Sequence, residues 1–319
     1  MASQGLLQAL IGLEGLYEEQ FNAIHLTSEF FNPGYLVALA AFARSRGIEK
    51  RGFHIPSDRQ GYFSAIGIPL ALWGDDDYEN ERVNAGRNYS LMTHLANEES
   101  VDTATAQING CLRELAQEDA TSSGLSDLLQ VVGELHDNVW SHGKASGFSM
   151  AQKWMSPSRD DYFIEFALAD CGIGFLEETK RAGLAMRSHS EAINWCLAEG
   201  NSTKHGDLID EFAQRLPPGF IGDSPYGDSV PTRDSENHHQ GLGLAKLVQL
   251  AETYDAAVIV ASGNAYYSRN EQGASDIVTL DTDWEGVAVS CRLRGSKLAK
   301  NGQIDQDVEL TNLMDQLRA

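Results

Sequence analysis

Leu128–His142 (L-L-Q-V-V-G-E-L-H-D-N-V-W-S-H) constrains this chain more than any other stretch, because it carries two patterns at once. Leu128, Val131, Val132, Leu135 and Val139 recur at helical spacing, which predicts a helix with one face turned to a core. Glu134, Asn138 and His142 follow one another at steps of four, so a carboxylate, a carboxamide and an imidazole line a second edge of that helix. A polar helix edge is by default a solvated one. Two glycine boxes downstream give this edge a different reading.

Ala169–Phe175 (A-D-C-G-I-G-F) sets Asp170, Gly172 and Gly174 directly after Phe163–Ala169, an apolar run that reads as a strand. Gln240–Leu244 (Q-G-L-G-L) sets Gly241, Leu242, Gly243 and Leu244 at the opening of an amphipathic helix, Leu244–Thr253. Either box alone is a common turn signal. Together with the helix they form an ordered triple: helix, strand with glycine turn, glycine turn with helix.

That triple resembles the ATP-binding domain of the GHKL superfamily, which includes gyrase-type topoisomerases, a heat-shock chaperone, histidine kinases, MutL and the anti-sigma-factor serine kinases. The resemblance covers about Leu125 to Arg294, a little over half the chain. It implies an α/β (α+β) fold in which a two-layer sandwich of helices on a mixed sheet binds ATP and Mg²⁺. It implies that Asn138 holds Mg²⁺. A single carboxamide oxygen suits an ion that prefers oxygen ligands and keeps several waters. Glu134, one turn earlier, matches the general base of the ATP-hydrolysing members and of the serine kinases. Asp137 points roughly 100° away and has at most an accessory part. His142 is given a phosphate-adjacent or packing role.

Asp170 matches the aspartate that reads adenine, since a carboxylate accepts the exocyclic amine and repels the guanine carbonyl. ATP is therefore expected over GTP. Gly172 and Gly174 are expected to let backbone approach the ligand. Backbone N–H groups at Gly241, Leu242, Gly243 and Leu244 are expected to cradle phosphates at a helix start. Ser202, Thr203 and Lys204 lie between the boxes in a segment, 176–240, read as a lid that closes over the γ-phosphate. A helix is expected at Ser190–Ala198, with a Pro- and Gly-rich stretch at Leu216–Asn237. One departure is visible. Relatives carry Gly-Thr before the last strand, and this chain has Gly286-Val287, which removes one adenine-side hydroxyl.

Ahead of this region the chain reads as a separate unit, residues 21–120, after an arm at 1–20. Ala23–Thr27 and Arg51–Ile55 read as short strands, Tyr35–Arg46 (opened by Pro33) and Gln60–Ile66 as helices. This β-α-β-α order suggests a small α/β unit with a parallel pair and resembles a STAS-like domain. Leu6, Leu7, Leu10, Leu13 and Leu16 fit either a packing arm or a partner-binding helix. Glu118–Gly124 reads as the linker, with Ser126 as cap of the key helix. The nucleotide-binding unit spans 121–300, and 301–319 is a tail. Asp75–Glu81 is read as a solvated acidic loop. His94, followed by L-A-N-E, does not make a phosphoacceptor helix.

The chain has 319 residues, 42% of them hydrophobic, and a net charge of −22. Such acidity repels nucleic acid and anionic membranes, so neither is expected as a partner. Cys111, Cys171, Cys196 and Cys291 show no C-x-x-C spacing, which argues against a zinc site or disulfide framework. With no signal-peptide pattern and no run long enough to span a bilayer, a cytoplasmic protein is expected. The reading that emerges is Mg²⁺-dependent ATP binding with slow hydrolysis, driving a lid switch that regulates an unidentified protein partner. Many relatives dimerise, so a homodimer is one expected form. The rivals are an anti-sigma-type serine/threonine kinase and a non-catalytic ATP sensor or scaffold.

Overall fold

The computed structural model describes residues 3–116, 123–139, 146–198, 201 and 243–298. In chain order it contains β1 (Ser3–Gln4), α1 (Leu6–Leu16), β2 (Tyr17–Glu18), β3 (Ala23–His25), β4 (Phe30–Phe31), α2 (Pro33–Ser45), β5 (Phe53–His54), α3 (Ser57–Ala65) and α4 (Ile68–Trp73). Then come β6 (Thr93–Leu95), α5 (Glu98–Leu115), α6 (Ser123–Asn138), β7 (Gly147–Met155), β8 (Tyr162–Asp170), α7 (Gly174–Arg181), α8 (His189–Leu197), α9 (Gly243–Thr253), β9 (Ala257–Arg269) and β10 (Ser275–Arg294). The class is mixed α/β, as the sequence led one to expect.

The centre of the molecule is a five-stranded sheet in the order β6-β7-β8-β10-β9. Every neighbouring pair in it is antiparallel, which corrects the expected mixed sheet. The physical reason is connectivity: β7 to β8 and β9 to β10 return through tight hairpins, which only antiparallel neighbours permit. The β9–β10 hairpin also runs well past the strands foreseen at Ala257–Ala261 and Val287–Leu293. Its tip is closed by Asn270, whose side chain accepts the N–H groups of Gln272 and Ala274 at 3.0 Å each.

Strand alternation gives each face of the sheet its own cover. On one face Ile164, Phe166 and Leu168 meet α5, α6 and α9 through Ile108, Leu112, Val131, Leu135, Leu247 and Leu250. On the other, Ala167, Ala169, Phe148 and Met150 meet α1 and α2 through Leu6, Leu10, Leu36 and Leu39. The sheet is thus covered on both faces, not the one face of a two-layer sandwich. Helix α2 is buried from Pro33 to Ala43, as befits a helix that is apolar all round.

This packing also moves the expected boundary. Residues 117–122 lie outside the described residues, but the chain before them is built into the sandwich. Strand β6 is an edge of the main sheet, and α5 shares a core with α6 through Val101, Ile108 and Leu112. Helix α1 is a packing arm, with Leu6, Ala9, Leu10 and Leu13 buried. The expected parallel pair does occur, as β3 beside β5 in a small sheet with β2. Asp75–Glu81 is a loop held by Lys50 and Arg82. Among the described residues no helix is long and apolar enough to cross a membrane.

Candidate functional site

Helix α6 buries the stripe read from its sequence: Leu128, Val131, Val132, Leu135 and Val139 are all in the core. It begins upstream of the expected cap, so Ser126 is an exposed residue within the helix. The Glu134–Asn138 edge faces α9. Glu134 is only 7% exposed, and its Oε1 accepts from Lys246 Nζ at 2.9 Å. A Cβ placed on Gly243 would lie 3.1 Å from the Glu134 Cβ and 3.7 Å from Asn138 Nδ2. The first turn of α9 therefore rests directly on the polar edge of α6, and only glycine fits there without displacing it.

Asp170 closes β8, where the sequence put it, and is 4% exposed. Its Oδ1 accepts the N–H of Gly172 at 2.8 Å and of Val287 at 3.1 Å. Burial pushes its carboxyl up to about 6, against the pull of those two N–H groups. Both bonds use one oxygen, and the residue lines the cavity beside it. Val287, the position that departs from the Gly-Thr pattern, contributes its backbone N–H here and lines the cavity.

The cavity holds about 810 Å³ of space, part of it open to solvent. Of the residues singled out from sequence, Asn138, Asp170, Gly174, Gly243 and Leu244 line it. Glu134 sits just behind its Gly243 rim. The walls are mostly apolar: Leu135, Val139, Leu168, Ile173, Val287 and Val289, with Phe175 from α7 and Trp195 from α8. Among these walls stand the polar side chains Asn138, Asp170, Glu178 and Asn201, so the space offers apolar surface with a few hydrogen-bonding groups.

Gly174 is required for a reason other than the expected ligand approach. It sits at φ +72°, and a Cβ there would lie 2.7 Å from Ser262 Oγ. That hydroxyl accepts the Phe175 N–H at 3.0 Å, so the glycine lets the turn dock on β9. Asp137 is exposed and does not line the cavity, so no accessory role is placed there. Residues 176–198, assigned to the lid, form most of α7 and all of α8, and Ile193 joins the core. That part is wall, not lid. His142, Ser202, Thr203, Lys204, Gly241 and Leu242 lie outside the described residues.

Sequence reasoning missed Lys246, Phe175, Glu178, Trp195 and Cys196. Lys246 had a readable signal: it stands three residues after Gly243, on the first turn of the helix that the glycine box opens. Phe175 closes the Asp170 glycine box itself, whereas Trp195 had no signal, since it reaches the cavity from the separate helix α8. His94 lies on edge strand β6, stacked on Phe148 at 4.8 Å, and burial with nearby Arg44 depresses it to about 4. Among the described residues no three acids, histidines or cysteines group closely enough to hold a metal by themselves. Comparison with protein-family models, with curated proteins and with solved structures gave no match.

Proposed function

We propose that this cavity binds ATP with Mg²⁺ and that the chain hydrolyses it slowly, as a GHKL-type ATPase whose nucleotide state governs a protein partner. The observation that carries the reading is Asp170: a buried carboxylate that lines an apolar-walled cavity and whose Oδ1 accepts two backbone N–H groups, so that Oδ2 would be the oxygen to meet a ligand. An adenine ring between the apolar walls would offer its exocyclic amine to that oxygen. Its phosphates would then lie toward Gly243, Asn138 and the Glu134–Lys246 pair, the polar end of the same space.

The donor set suits Mg²⁺. Asn138 lines the cavity and its carboxamide would offer one neutral oxygen, without a cage of acids among the described residues, and Mg²⁺ is commonly held by one or two protein oxygens, water and substrate phosphates. When bound, the ion would neutralise phosphate charge. Glu134 would accept the proton of a water that attacks the γ-phosphorus. The apolar walls would orient the base and exclude water from it.

The test is a pair of assays on the purified chain. Asn138→Ala should abolish Mg²⁺-dependent ATP binding in calorimetry. Glu134→Ala should retain binding and lose phosphate release. Normal hydrolysis by Glu134→Ala would refute the assigned base. Transfer of labelled γ-phosphate to a serine of a partner protein, with no free phosphate, would replace hydrolysis by the kinase reading.

A further inference from the structure

We infer that Lys246 is a phosphate-binding residue that the fold holds in reserve on Glu134, so that arrival of the polyphosphate and release of the general base are one event. This rests on the ATP reading of the cavity.

The ion pair joins two elements, α6 and α9, behind the Gly243 rim of the cavity. The lysine and glutamate side chains are 27% and 6% exposed, so the carboxylate is out of water while the lysine is partly solvated. The described residues that line the cavity include no lysine or arginine; Arg181 pairs with Glu178 in the wall, and Lys246 pairs with Glu134 on the helix that carries Asn138, which makes Lys246 the cation tied to the Asn138 side. Its helix starts at Gly243, in contact with both Glu134 and Asn138. A flexible lysine is suited to exchange between two anions because its ammonium is a point charge on a long stem.

Within the pair, Lys246 balances a buried charge that would otherwise be costly. A polyphosphate brings several negative charges beside Glu134 and competes for the ammonium. Once Lys246 has moved to phosphate, Glu134 can take its part in the reaction. Water oxygen bonds to the γ-phosphorus, the bond from phosphorus to the β,γ-bridging oxygen breaks, and its electron pair leaves on ADP. One water proton passes to Glu134. Lys246 is thus a positioning and binding residue, and its exchange ties turnover to occupancy.

The experiment is a double-substitution cycle on the full chain, read by calorimetry with Mg²⁺-ATP and with adenosine, which lacks phosphates. Lys246→Met should weaken ATP binding by about tenfold and leave adenosine unchanged, while Lys246→Arg keeps most of the affinity. Glu134→Gln should tighten ATP binding by about threefold or more in the parent chain, and by clearly less in the Lys246→Met background. The Glu134→Gln arm preserves shape and does not depend on a lysine variant that takes a cation away from a buried acid. An equal effect of Glu134→Gln in both backgrounds would overturn the exchange. So would a parallel loss of ATP and adenosine in Lys246→Met, which would mark a structural lysine. A wild-type chain that binds neither compound would remove the ATP reading itself, whereas binding without coupling between positions 134 and 246 removes only this role.

Discussion

Glu165 and Asp170 lie on the same strand, β8, and are each 4% exposed, yet they serve opposite faces of the sheet. Burial raises the carboxyl of both. Glu165 is met by the chain itself: its Oε1 accepts the Gly34 N–H at 2.9 Å in the first turn of α2, and Arg292 stands opposite it on β10. A carboxylate at a helix N-terminus is favoured by the helix dipole. Asp170 accepts two backbone N–H groups on Oδ1 and lines a cavity. Burial therefore does not distinguish a site from a structural lock. What distinguishes them is whether hydrogen-bonding capacity is left over where a ligand has room.

The largest effect should come from unlocking the structural acid. Glu165→Ala strips the Gly34 N–H of its acceptor and leaves Arg292 facing no charge, which should cost about 3–5 kcal/mol in urea unfolding. Mg²⁺-ATP affinity, measured well below the unfolding transition, should stay within about twofold, because the cavity lies on the other face. If Glu165→Ala instead emptied the cavity of ligand, the two faces would not be separable as described.

Asp170→Asn should act in the reverse sense on stability. The folded carboxyl is raised from 3.8 to about 6, so between those values the native state takes up a proton that the unfolded chain has lost. This group's contribution therefore falls as pH rises through that window, and its full penalty is present above it. An asparagine oxygen can accept the same two N–H groups without charge. The variant should be more stable than the parent at pH 8, by up to roughly 3 kcal/mol, and the advantage should vanish near pH 4. ATP binding should weaken at both. A variant less stable at pH 8 would mean that the chain depends on the charge, and the contrast with Glu165 would fail.

Of these two acids, only the site one was legible in the sequence. Asp170 could be read because a strand ending in Asp-x-Gly-x-Gly is a local pattern, and the α6 stripe because a period of 3.6 is local too. Glu165 falls inside an apolar run, and its partners are Gly34 and Arg292, far away in the chain. Burial of α2 on the sheet was written in its unbroken apolar run, but a helix carries no mark of which face it will cover. The separate N-terminal unit was inferred from a polar linker, and tertiary packing of β6 and α5 overrode it. The Lys246–Glu134 pair shows the same limit: each residue is visible in its own helix, but their meeting depends on how α9 crosses α6.

A third buried group sharpens the comparison within α6. His136 lies two residues from Glu134 but points to the other side of the helix, fully buried. Its Nδ1 meets Thr105 Oγ1 at 2.9 Å and its Nε2 meets Ser149 Oγ at 2.8 Å, so both ring nitrogens are occupied. Burial depresses it from 6.5 to about 3. The native state therefore resists a proton that the unfolded chain accepts, and the stability this group contributes is complete above 6.5 and lost as pH falls toward 3. At pH 5 the loss should be about 2 kcal/mol, and His136→Gln, which cannot titrate, should not show it. Between pH 4 and 6 the two buried groups work against each other: acidification relieves Asp170 and strains His136. A flat wild-type stability profile over that range would be cancellation. It should resolve into a rise toward acid in His136→Gln and a fall in Asp170→Asn, and if both variants stayed flat, the opposed titrations would be refuted.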